Sequence, residues 1–354
     1  MNDSTYMAHA LRLAKQGMYT TRPNPNVGCV IVKDDKVVGE GFHYRAGEPH
    51  AEIHALNEAA GNAAGATAYV TLEPCSHTGR TPPCANALIQ AGVARVVVAM
   101  TDPNPGVSGE GINRLREAGI EVVEGILGSS AEMLNRGFIK RMQTGRPYVR
   151  VKLAMSLDGR TAMASGESKW ITGADARADV HRMRAMSGAV VTGSGTVLAD
   201  DPSMQFRPDE FPRLKNEISV DAVQPLRVIV DSKLQTPPQA RILADPEGVL
   251  IATLAGNSDV ARLAQVGATI LEFESDSSKV PLAQLLAELA VREINDVMVE
   301  AGAGLAGALL EAQLVDELIV YMAPHLMGDQ GRGLLGLPGI KRMEDRVALK
   351  ITDM

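Results

Sequence analysis

The residues around His50 and Cys84 have the chemical types and the spacing of a metal site. His50 offers an imidazole nitrogen, Cys75 and Cys84 offer two thiols, and Glu52 adds a carboxylate. Zinc prefers nitrogen and sulfur ligands in a tetrahedron, and a catalytic zinc keeps three protein ligands so that the fourth position can hold water. Because two thiolates weaken the acidifying effect of the metal, a separate base is needed, and Glu52 is the candidate. The pattern predicts a zinc hydrolase.

Both segments that carry these ligands are predicted to begin helices. His50 follows Pro49 and opens the apolar-periodic run HAEIHALNEAA, whereas Cys84 follows two prolines and opens CANALIQAG. The N-terminus of a helix carries partial positive charge, which favours the thiolate form of a cysteine placed there. Cys84 is therefore expected to bind the metal as a thiolate.

The same residues allow other interpretations. The cysteines are separated by eight residues, unlike a short C-x-x-C knuckle, and a purely structural zinc or two buried thiols stay open. His54 lies four residues after His50 on one helix face, which permits a two-histidine zinc pair. The protease pattern HExxH needs a glutamate directly after the first histidine, but Ala51 occupies that place. We assign His54 to the core or to the support of the site.

The motif H-x-E, followed by a P-C pair, resembles zinc nucleobase deaminases, in which the glutamate shuttles protons and is not a ligand. With PNPNVG at 23–28, TLEPC and the inserted segment SHTGRTPP, the chain resembles the bacterial riboflavin-biosynthesis deaminase/reductase family, RibD, along its whole length. The resemblance implies zinc ligands at His50, Cys75 and Cys84 and a catalytic Glu52. It also supports Asn24, whose amide offers both a donor and an acceptor, as the reader of the pyrimidine edge. His77 and Arg80, in the inserted segment, are further candidates for contact with the substrate phosphate.

Length and composition favour two catalytic units acting on a small molecule. The 354 residues suggest two domains, with 45% hydrophobic and 22% charged residues, as in globular proteins. A net charge of −7 and 3% aromatic residues leave no basic or stacking surface for nucleic acid. The sequence has no apolar run of about 18 residues, and its N-terminus has no long apolar core, so neither membrane insertion nor secretion is predicted. We therefore expect a cytoplasmic protein. Cys29, in the strand-like VGCVIV, is predicted to be a buried thiol.

The chain is predicted to divide at the TGRP linker into a deaminase domain, 1–144, and a reductase domain, 145–354. The first part predicts a three-layer α/β fold, because all-apolar strands such as RVVVAM are expected to be covered by helices on both faces. The resemblance implies that this fold is similar to that of cytidine deaminases. Its predicted helices cover 5–16, 50–60 and 84–91, and its predicted strands cover 27–33, 37–42, 67–72 and 95–100. A further helix and strand follow, and a closing helix ends at about residue 142.

The second part alternates strands with glycine-marked loops and helices, which predicts a mainly parallel sheet. Gly302, Gly304 and Gly307 form a G-x-G-x-x-G between a strand and a helix, which is either a phosphate-binding loop or a packing turn. A Rossmann fingerprint should open a two-halved domain, but only about fifty residues follow here. The segment from Ser203 to Gln224 is either a loop over the second site or an ordinary surface insertion.

The resemblance implies a dihydrofolate-reductase-like fold for the second part, with NADPH as cofactor, although nothing in the residues separates NADPH from NADH. The implied cofactor contacts are Ala154, Trp170, Thr196, Asp200, Ser232, Gly302, Ala303, Gly304, Leu305, Ala306, Gly307 and Ala308. The implied substrate contacts are Ser168, Arg184, Met204, Arg207 and Glu300, in which Arg184 and Arg207 suit a phosphate dianion. Trp170 as plain core and Arg184 as a solvated side chain remain alternatives.

The activity that the resemblance implies has two steps. Zinc-dependent hydrolysis removes the amine from C2 of 2,5-diamino-6-ribosylamino-4(3H)-pyrimidinone 5′-phosphate, and NADPH then reduces the ribosyl group to ribityl. A homodimer is also implied. The resemblance further implies a final strand that completes the sheet, but VALKITDM stops where that strand is expected, so either the sequence is truncated or the last strand is short. A deaminase of free nucleosides such as cytidine, or a zinc scaffold with a nucleotide-sensing domain, stays open.

Overall fold

The computed structural model describes residues 2–76, 83–218 and 221–354. The chain forms two compact units. The first consists of Met1–Tyr148, Pro212–Val223 and Ala287–Asp296, and the second of Val149–Phe211, Gln224–Leu286 and Val297–Met354.

The helices and strands follow the order expected from the alternating sequence pattern. The helices are α1 (Asp3–Ala14), α2 (Ala51–Ala59), α3 (Cys84–Gln90), α4 (Glu110–Glu117), α5 (Gly128–Leu134), α6 (Arg136–Thr144), α7 (Ala174–Met186), α8 (Ser194–Asp200), α9 (Pro212–Lys215), α10 (Val260–Ala264), α11 (Leu282–Val291) and α12 (Ala303–Glu311). The strands are β1 (Gly28–Lys33), β2 (Lys36–Phe42), β3 (Thr67–Val70), β4 (Arg95–Val98), β5 (Glu121–Glu124), β6 (Tyr148–Ser156), β7 (Arg160–Ala162), β8 (Ala189–Gly193), β9 (Leu226–Val230), β10 (Val249–Leu254), β11 (Thr269–Phe273), β12 (Asp296–Val299), β13 (Glu317–Ala323) and β14 (Arg332–Gly333).

The sheet of the first unit has the strand order β2-β1-β3-β4-β5. Strand β1 pairs antiparallel with β2 and β3, whereas β3, β4 and β5 run parallel. Alternate residues of β1 face opposite sides, since Cys29 and Ile31 join one buried cluster and Val30 and Val32 join the other. Both faces are thus covered by helices, which confirms the three-layer fold predicted from the all-apolar strands.

The sheet of the second unit has the strand order β11-β10-β9-β8-β12-β6-β13. The pairs β10–β11, β9–β10, β8–β9, β8–β12 and β6–β13 are parallel, as predicted from the alternation of strands and helices. The carboxyl ends of neighbouring parallel strands meet at one edge of a sheet, where open α/β sheets bind their ligands.

The end of the chain adds no further strand to this sheet. Residues 347–354 form neither helix nor strand, and β13 stays at the edge of the sheet. The closing strand implied near the C-terminus is therefore absent from these eight residues. Among residues 2–76, 83–218 and 221–354, no helix combines the length and the apolarity needed to cross a membrane.

Candidate functional sites

The three predicted zinc ligands converge in the first unit. The Nδ1 atom of His50 lies 3.2 Å from the sulfur of Cys84 and 3.7 Å from the sulfur of Cys75, and all ligand atoms lie within 4.8 Å of one another. His50 is the residue that precedes α2 and Cys84 is the first residue of α3, which confirms the predicted helix starts. One nitrogen and two sulfurs at these separations are a donor set that suits zinc.

The two sulfurs are electrostatically coupled. The pKa of the Cys75 thiol is lowered by hydrogen bonds from the thiol of Cys84, from His50 and from the backbone N–H of Cys84. The pKa of Cys84 is raised, chiefly because its thiol donates a hydrogen bond to the Cys75 sulfur. Burial adds to the shift, as does repulsion from the negative charges of Glu52 and Cys75. A cation between the two sulfurs removes that repulsion, so the pair is suited to a dication.

Glu52 lies in the first turn of α2 and is almost fully buried, with 3% of its surface exposed. Burial raises its pKa to about 7, with the charge of Cys75 adding to the shift and His50 opposing it. A carboxyl group with this pKa can both accept and release a proton near neutral pH. Its burial beside the ligands is what a proton shuttle requires.

Asn24 is held beside the same cluster by a histidine that the sequence did not single out. The Nδ2 atom of Asn24 lies 2.9 Å from Nε2 of His43, and Nδ1 of His43 lies 3.2 Å from the carbonyl oxygen of Pro49. When Nδ1 of His43 donates to this carbonyl, Nε2 accepts from the amide of Asn24. The rings of His43 and His50 are 5.2 Å apart, edge to face. His43 therefore links Asn24 to the metal ligands.

Glu73, from TLEPC, is a second residue that the sequence did not single out. It is buried, with 4% exposed, and its carboxylate accepts four backbone hydrogen bonds from the segment 102–112. The donors are the N–H groups of Asp102, Gly109, Gly111 and Ile112, at 2.8–3.3 Å. Glu73 fixes that loop next to the segment that carries Cys75. Its position three residues after the buried strand β3 is the signal that could have indicated it.

The structure describes only one of the three remaining residues predicted near this site, His54. The Nε2 atom of His54 is buried and makes no hydrogen bond within the described residues, and the cluster of metal-type ligands found there contains His50 without His54. The predicted phosphate contacts His77 and Arg80 lie outside the described residues.

In the second unit, the predicted cofactor residues gather after the carboxyl ends of neighbouring strands. Thr196 and Asp200 lie on α8, which follows β8; Ser232 follows β9; and the glycine segment follows β12. Strands β9, β8, β12 and β6 are neighbours in that order, and Ala154 lies on β6. Trp170 is 73% exposed, and the guanidinium of Arg177 stacks on its ring at 4.8 Å, so Trp170 is not core.

The three glycines of the G-x-G-x-x-G segment have different surroundings. Side chains at Gly302, which precedes α12, and at Gly304 would meet no atom within 4 Å, which leaves the helix N-terminus open to a ligand. A Cβ atom at Gly307 would lie 1.9 Å from the carbonyl oxygen of Gly336. Gly307 is therefore needed where two backbones pack together, and Gly302 and Gly304 border open space.

Arg184 and Glu300 form a two-point ion pair among the predicted substrate residues. The Nε and Nη2 atoms of Arg184 lie 2.5 and 2.9 Å from the two carboxylate oxygens of Glu300, and both side chains are about nine-tenths buried. Burial alone would raise the pKa of Glu300, but Arg184 and Lys152 hold it below its ordinary value. Burial lowers the pKa of Lys152. Arg184 is thus not the solvated side chain that the sequence left open.

The other predicted substrate residues lie on two loops. Ser168 is half-buried and precedes α7, whereas Met204 and Arg207 lie in the segment after α8. Met204 is buried with a φ of 56°, and Arg207 is half-buried with Nη1 donating to the Ser203 hydroxyl at 2.6 Å. These two loops flank α7, which carries Arg184.

Comparisons with known proteins match both halves of the chain. The family model for the cytidine and deoxycytidylate deaminase zinc-binding region matches residues 1–100, and the model for the RibD C-terminal domain matches residues 147–354. The riboflavin biosynthesis protein RibD of Escherichia coli K12 is 52% identical over 356 residues, which cover 100% of this chain and 96% of that protein.

Solved structures agree over nearly the same span. A structure of Acinetobacter baumannii RibD matches with a TM-score of 0.92 and 50% identity, covering 99% of this chain and 94% of that one. A diaminohydroxyphosphoribosylaminopyrimidine deaminase/5-amino-6-(5-phosphoribosylamino)uracil reductase from Thermotoga maritima matches with a TM-score of 0.86 and 33% identity, with the same coverage. The chain joins a zinc-binding deaminase domain to a reductase domain of the kind that uses a nicotinamide cofactor. It belongs to the RibD family.

Proposed function

We propose that the chain catalyses two successive reactions on one phosphorylated pyrimidine of riboflavin biosynthesis. The first is hydrolytic deamination of 2,5-diamino-6-ribosylamino-4(3H)-pyrimidinone 5′-phosphate, and the second is reduction of the product's ribosyl group to ribityl by NADPH. The observation that carries the first step is the convergence of His50, Cys75 and Cys84 beside the buried carboxyl group of Glu52. Family membership and the positions of the predicted cofactor residues after β8, β9 and β12 support the second.

In the deamination, Glu52 carries the protons. When bound by His50, Cys75 and Cys84, zinc would supply the Lewis acidity that makes a water molecule more acidic. Glu52 takes one proton from this water and gives it to the ring nitrogen next to C2, then takes the second and gives it to the departing amine. The C2–O bond forms, the C2–N bond breaks, and the atoms of water end in the new carbonyl, the ring N–H and ammonia.

Asn24 orients the pyrimidine in this proposal. Because the Nδ2 of Asn24 is bound to His43, its carboxamide cannot turn freely, and its oxygen stays available to accept from the base. A fixed acceptor discriminates between pyrimidine edges, because a base with the wrong pattern leaves it unpaired.

In the reduction, the residues bind and orient the two reactants. Nicotinamide, when bound, supplies a hydride to C1′ of the ribose in its open imine form, and the exocyclic nitrogen takes the proton. The open N-terminus of α12 at Gly302 and Gly304 suits the pyrophosphate of the cofactor. Ala154, Trp170, Thr196, Asp200, Ser232 and the segment from Gly302 to Ala308 form the proposed cofactor site, whose role is orientation and exclusion of water.

The substrate phosphate is assigned chiefly to Arg207. Arg184 already donates to both oxygens of Glu300 and to the carbonyl oxygen of Gln205, so its charge is largely compensated. Arg207 also has an acidic partner, Glu210 at 2.6 Å, but this pair is solvent-exposed, with 37% and 53% of the two side chains accessible. An exposed ion pair is weak, so Arg207 can turn to a phosphate at lower cost than the buried Arg184. Ser168, Met204 and the pair of Arg184 and Glu300 complete the proposed substrate site.

An assay with the diaminopyrimidinone phosphate tests both steps in one sample. Ammonia release is expected first, and NADPH oxidation is expected only after it, in proportion to the ammonia formed. Cytidine in place of the substrate should release no ammonia. Ammonia from cytidine, or NADPH oxidation without deamination, would contradict the proposal.

Four finer assignments belong to the same proposal. The cofactor is NADPH in preference to NADH, which a comparison of KM values for the two tests. The domains are 1–144 and 145–354, and the protein acts in the cytoplasm. The protein is a homodimer; exposed apolar side chains on the edge strand β13, such as Met322 at 59%, support this, and light scattering tests it.

A further inference from the structure

The loop from Ser203 to Phe211 is held by side chains that reach it from outside. The backbone N–H of Arg207 donates to Nδ1 of His181 at 2.9 Å, and the side-chain amide of Gln224 exchanges two hydrogen bonds with the backbone of Phe206, at 3.1 and 2.9 Å. Arg184 donates to the carbonyl oxygen of Gln205 at 2.9 Å. Side chains therefore bond to the backbone of three consecutive residues, whereas the backbone of a β-strand would bond to a neighbouring strand.

Alternate side chains of the same segment are anchored in the core. Met204 and Phe206 are buried, with 3% and 5% exposed, and Arg207 lies between Phe206 and the turn at 208–210. Met204 has a φ of 56°, a left-handed conformation that an unbranched side chain adopts only when its surroundings impose it. The loop is thus held in one conformation, and this conformation fixes the position of the Cα atom of Arg207.

Of these side chains, His181 is the one that bonds to the backbone of Arg207 itself. It lies on α7, is 6% exposed, and packs its ring against Phe211 at 4.8 Å. The charged groups that face it are Arg184 on the same helix, Arg207 on the loop and Glu300 after β12. Because Nδ1 accepts from a backbone N–H, the ring must be neutral with its proton on Nε2. Burial first, and then Arg184 and Arg207, lower the pKa of His181 to about 4, so the acceptor persists at neutral pH.

We propose that His181 is a positioning residue for the substrate phosphate: it fixes the backbone of Arg207 so that the guanidinium is already in place when the phosphate arrives. The inference rests on the proposed reductase function and adds a residue to it. An arginine on a loose loop would have to be ordered during binding, and that ordering free energy would be subtracted from the affinity. His181 acts through Arg207 and does not itself need to touch the phosphate.

Two substitutions separate this role from a general structural one. His181→Asn places an amide oxygen near the position of Nδ1 and keeps an acceptor for the N–H of Arg207, whereas His181→Leu keeps apolar volume and removes the acceptor. In the full-length protein at neutral pH, we expect His181→Leu to raise the KM for the deaminated substrate roughly five- to thirtyfold with kcat within about twofold of wild type. His181→Asn should restore most of the KM. His325→Leu, an exposed histidine in the same unit, is the matched control and should change neither value.

A double-mutant cycle with Arg207→Ala shows whether the effect passes through that arginine. If His181 acts only by placing Arg207, adding His181→Leu to Arg207→Ala should raise KM no further. Fully additive effects, or equal KM values for the Asn and Leu variants, would overturn the proposal. Unfolding midpoints of all variants show whether a loss of KM follows from a loss of folding, and the Asn variant keeps the test valid if the Leu variant is unstable.

Binding of ribose 5-phosphate, measured by calorimetry, is a readout that does not need turnover. The dissociation constant should rise for His181→Leu and Arg207→Ala and stay near the wild-type value for His181→Asn. If the dissociation constants of wild type and variants follow this order but wild type never oxidises NADPH, the proposed function is wrong and the positioning role stands. If turnover is normal and His181→Leu binds as wild type does, the positioning role is wrong and the function stands.

Discussion

The backbone N–H of Cys84 donates a hydrogen bond to the sulfur of Cys75 across 3.3 Å. The first residue of α3 thus supplies one proposed zinc ligand with its side chain and stabilises the other cysteine with its backbone. Because the donor belongs to a helix N-terminus, its partial positive charge favours the thiolate form of Cys75. The two cysteines behave as one unit, which predicts that neither can be replaced without loss of the metal.

The first prediction compares the three cysteines of the chain. Cys75→Ser and Cys84→Ser should each lose zinc on dialysis against a chelator and lose ammonia release with it. Cys29→Ala is the control, because Cys29 is fully buried in β1 and its loss should lower the free energy of unfolding by only about 1 kcal/mol without loss of zinc. Metal analysis of the dialysed proteins is the measurement. A Cys75→Ser variant that keeps a full zinc complement would contradict the ligand set.

The second prediction concerns the four backbone hydrogen bonds to Glu73. Glu73→Gln replaces one acceptor oxygen by an NH₂ group that faces backbone donors, so the first unit should lose about 2–4 kcal/mol of stability. Glu121→Gln is the matched control, since Glu121 makes an exposed ion pair with Arg95 and should contribute less than about 1 kcal/mol. Urea unfolding followed by circular dichroism compares the two. Equal midpoints for the two variants would show that the loop is held by something other than Glu73.

The third prediction separates the glycines around α12. Gly307→Ala would overlap the carbonyl oxygen of Gly336 and should destabilise the second unit by about 1–3 kcal/mol. Gly304→Ala has free space and a helical backbone, and it should leave stability unchanged or slightly higher while raising the KM for NADPH. Thermal unfolding and NADPH titration distinguish the two effects. If Gly304→Ala leaves cofactor binding unchanged, the pyrophosphate does not lie against this turn.

The fourth prediction is a pH dependence of stability. The pKa of His181 is about 4 in the folded protein and about 6.5 in an unfolded chain. Between these values the unfolded state binds more protons, so the free energy of unfolding should fall as pH is lowered from about 6.5 towards 4, by a few kcal/mol in total. His181→Asn has no titrating ring and should lose this part of the fall, whereas His325→Asn should keep it. Parallel stability curves for wild type and His181→Asn would refute the assignment.

Local patterns were enough to predict the alternation of helices and covered strands, and residue types were enough to propose the zinc ligands. The helix starts at His50 and Cys84 follow from prolines before apolar-periodic runs, and the covered strands follow from apolar residues on both faces. The ligand chemistry follows from residue type alone. These features depend on neighbours in sequence, which is why they could be predicted without coordinates.

The residues that hold the sites in place could not be predicted in this way. Glu73 binds a backbone N–H that lies 38 residues away, and His181 binds one that lies 26 residues away. No periodicity marks such a pair, because only the folded chain brings the acceptor to its donor. Gly307 shows the same limit: its partner is the backbone of Gly336, which no motif identifies.

The most direct test of the account measures zinc and ammonia in the same preparations of wild type and Glu52→Gln. About one zinc per chain is expected in both proteins, with ammonia release lowered by roughly 10²- to 10⁴-fold in Glu52→Gln, because only the proton shuttle has been removed. NADPH oxidation with the deaminated substrate should be unchanged in the variant. Loss of zinc from Glu52→Gln, or undiminished ammonia release, would contradict the claim that Glu52 moves protons beside a metal held by His50, Cys75 and Cys84.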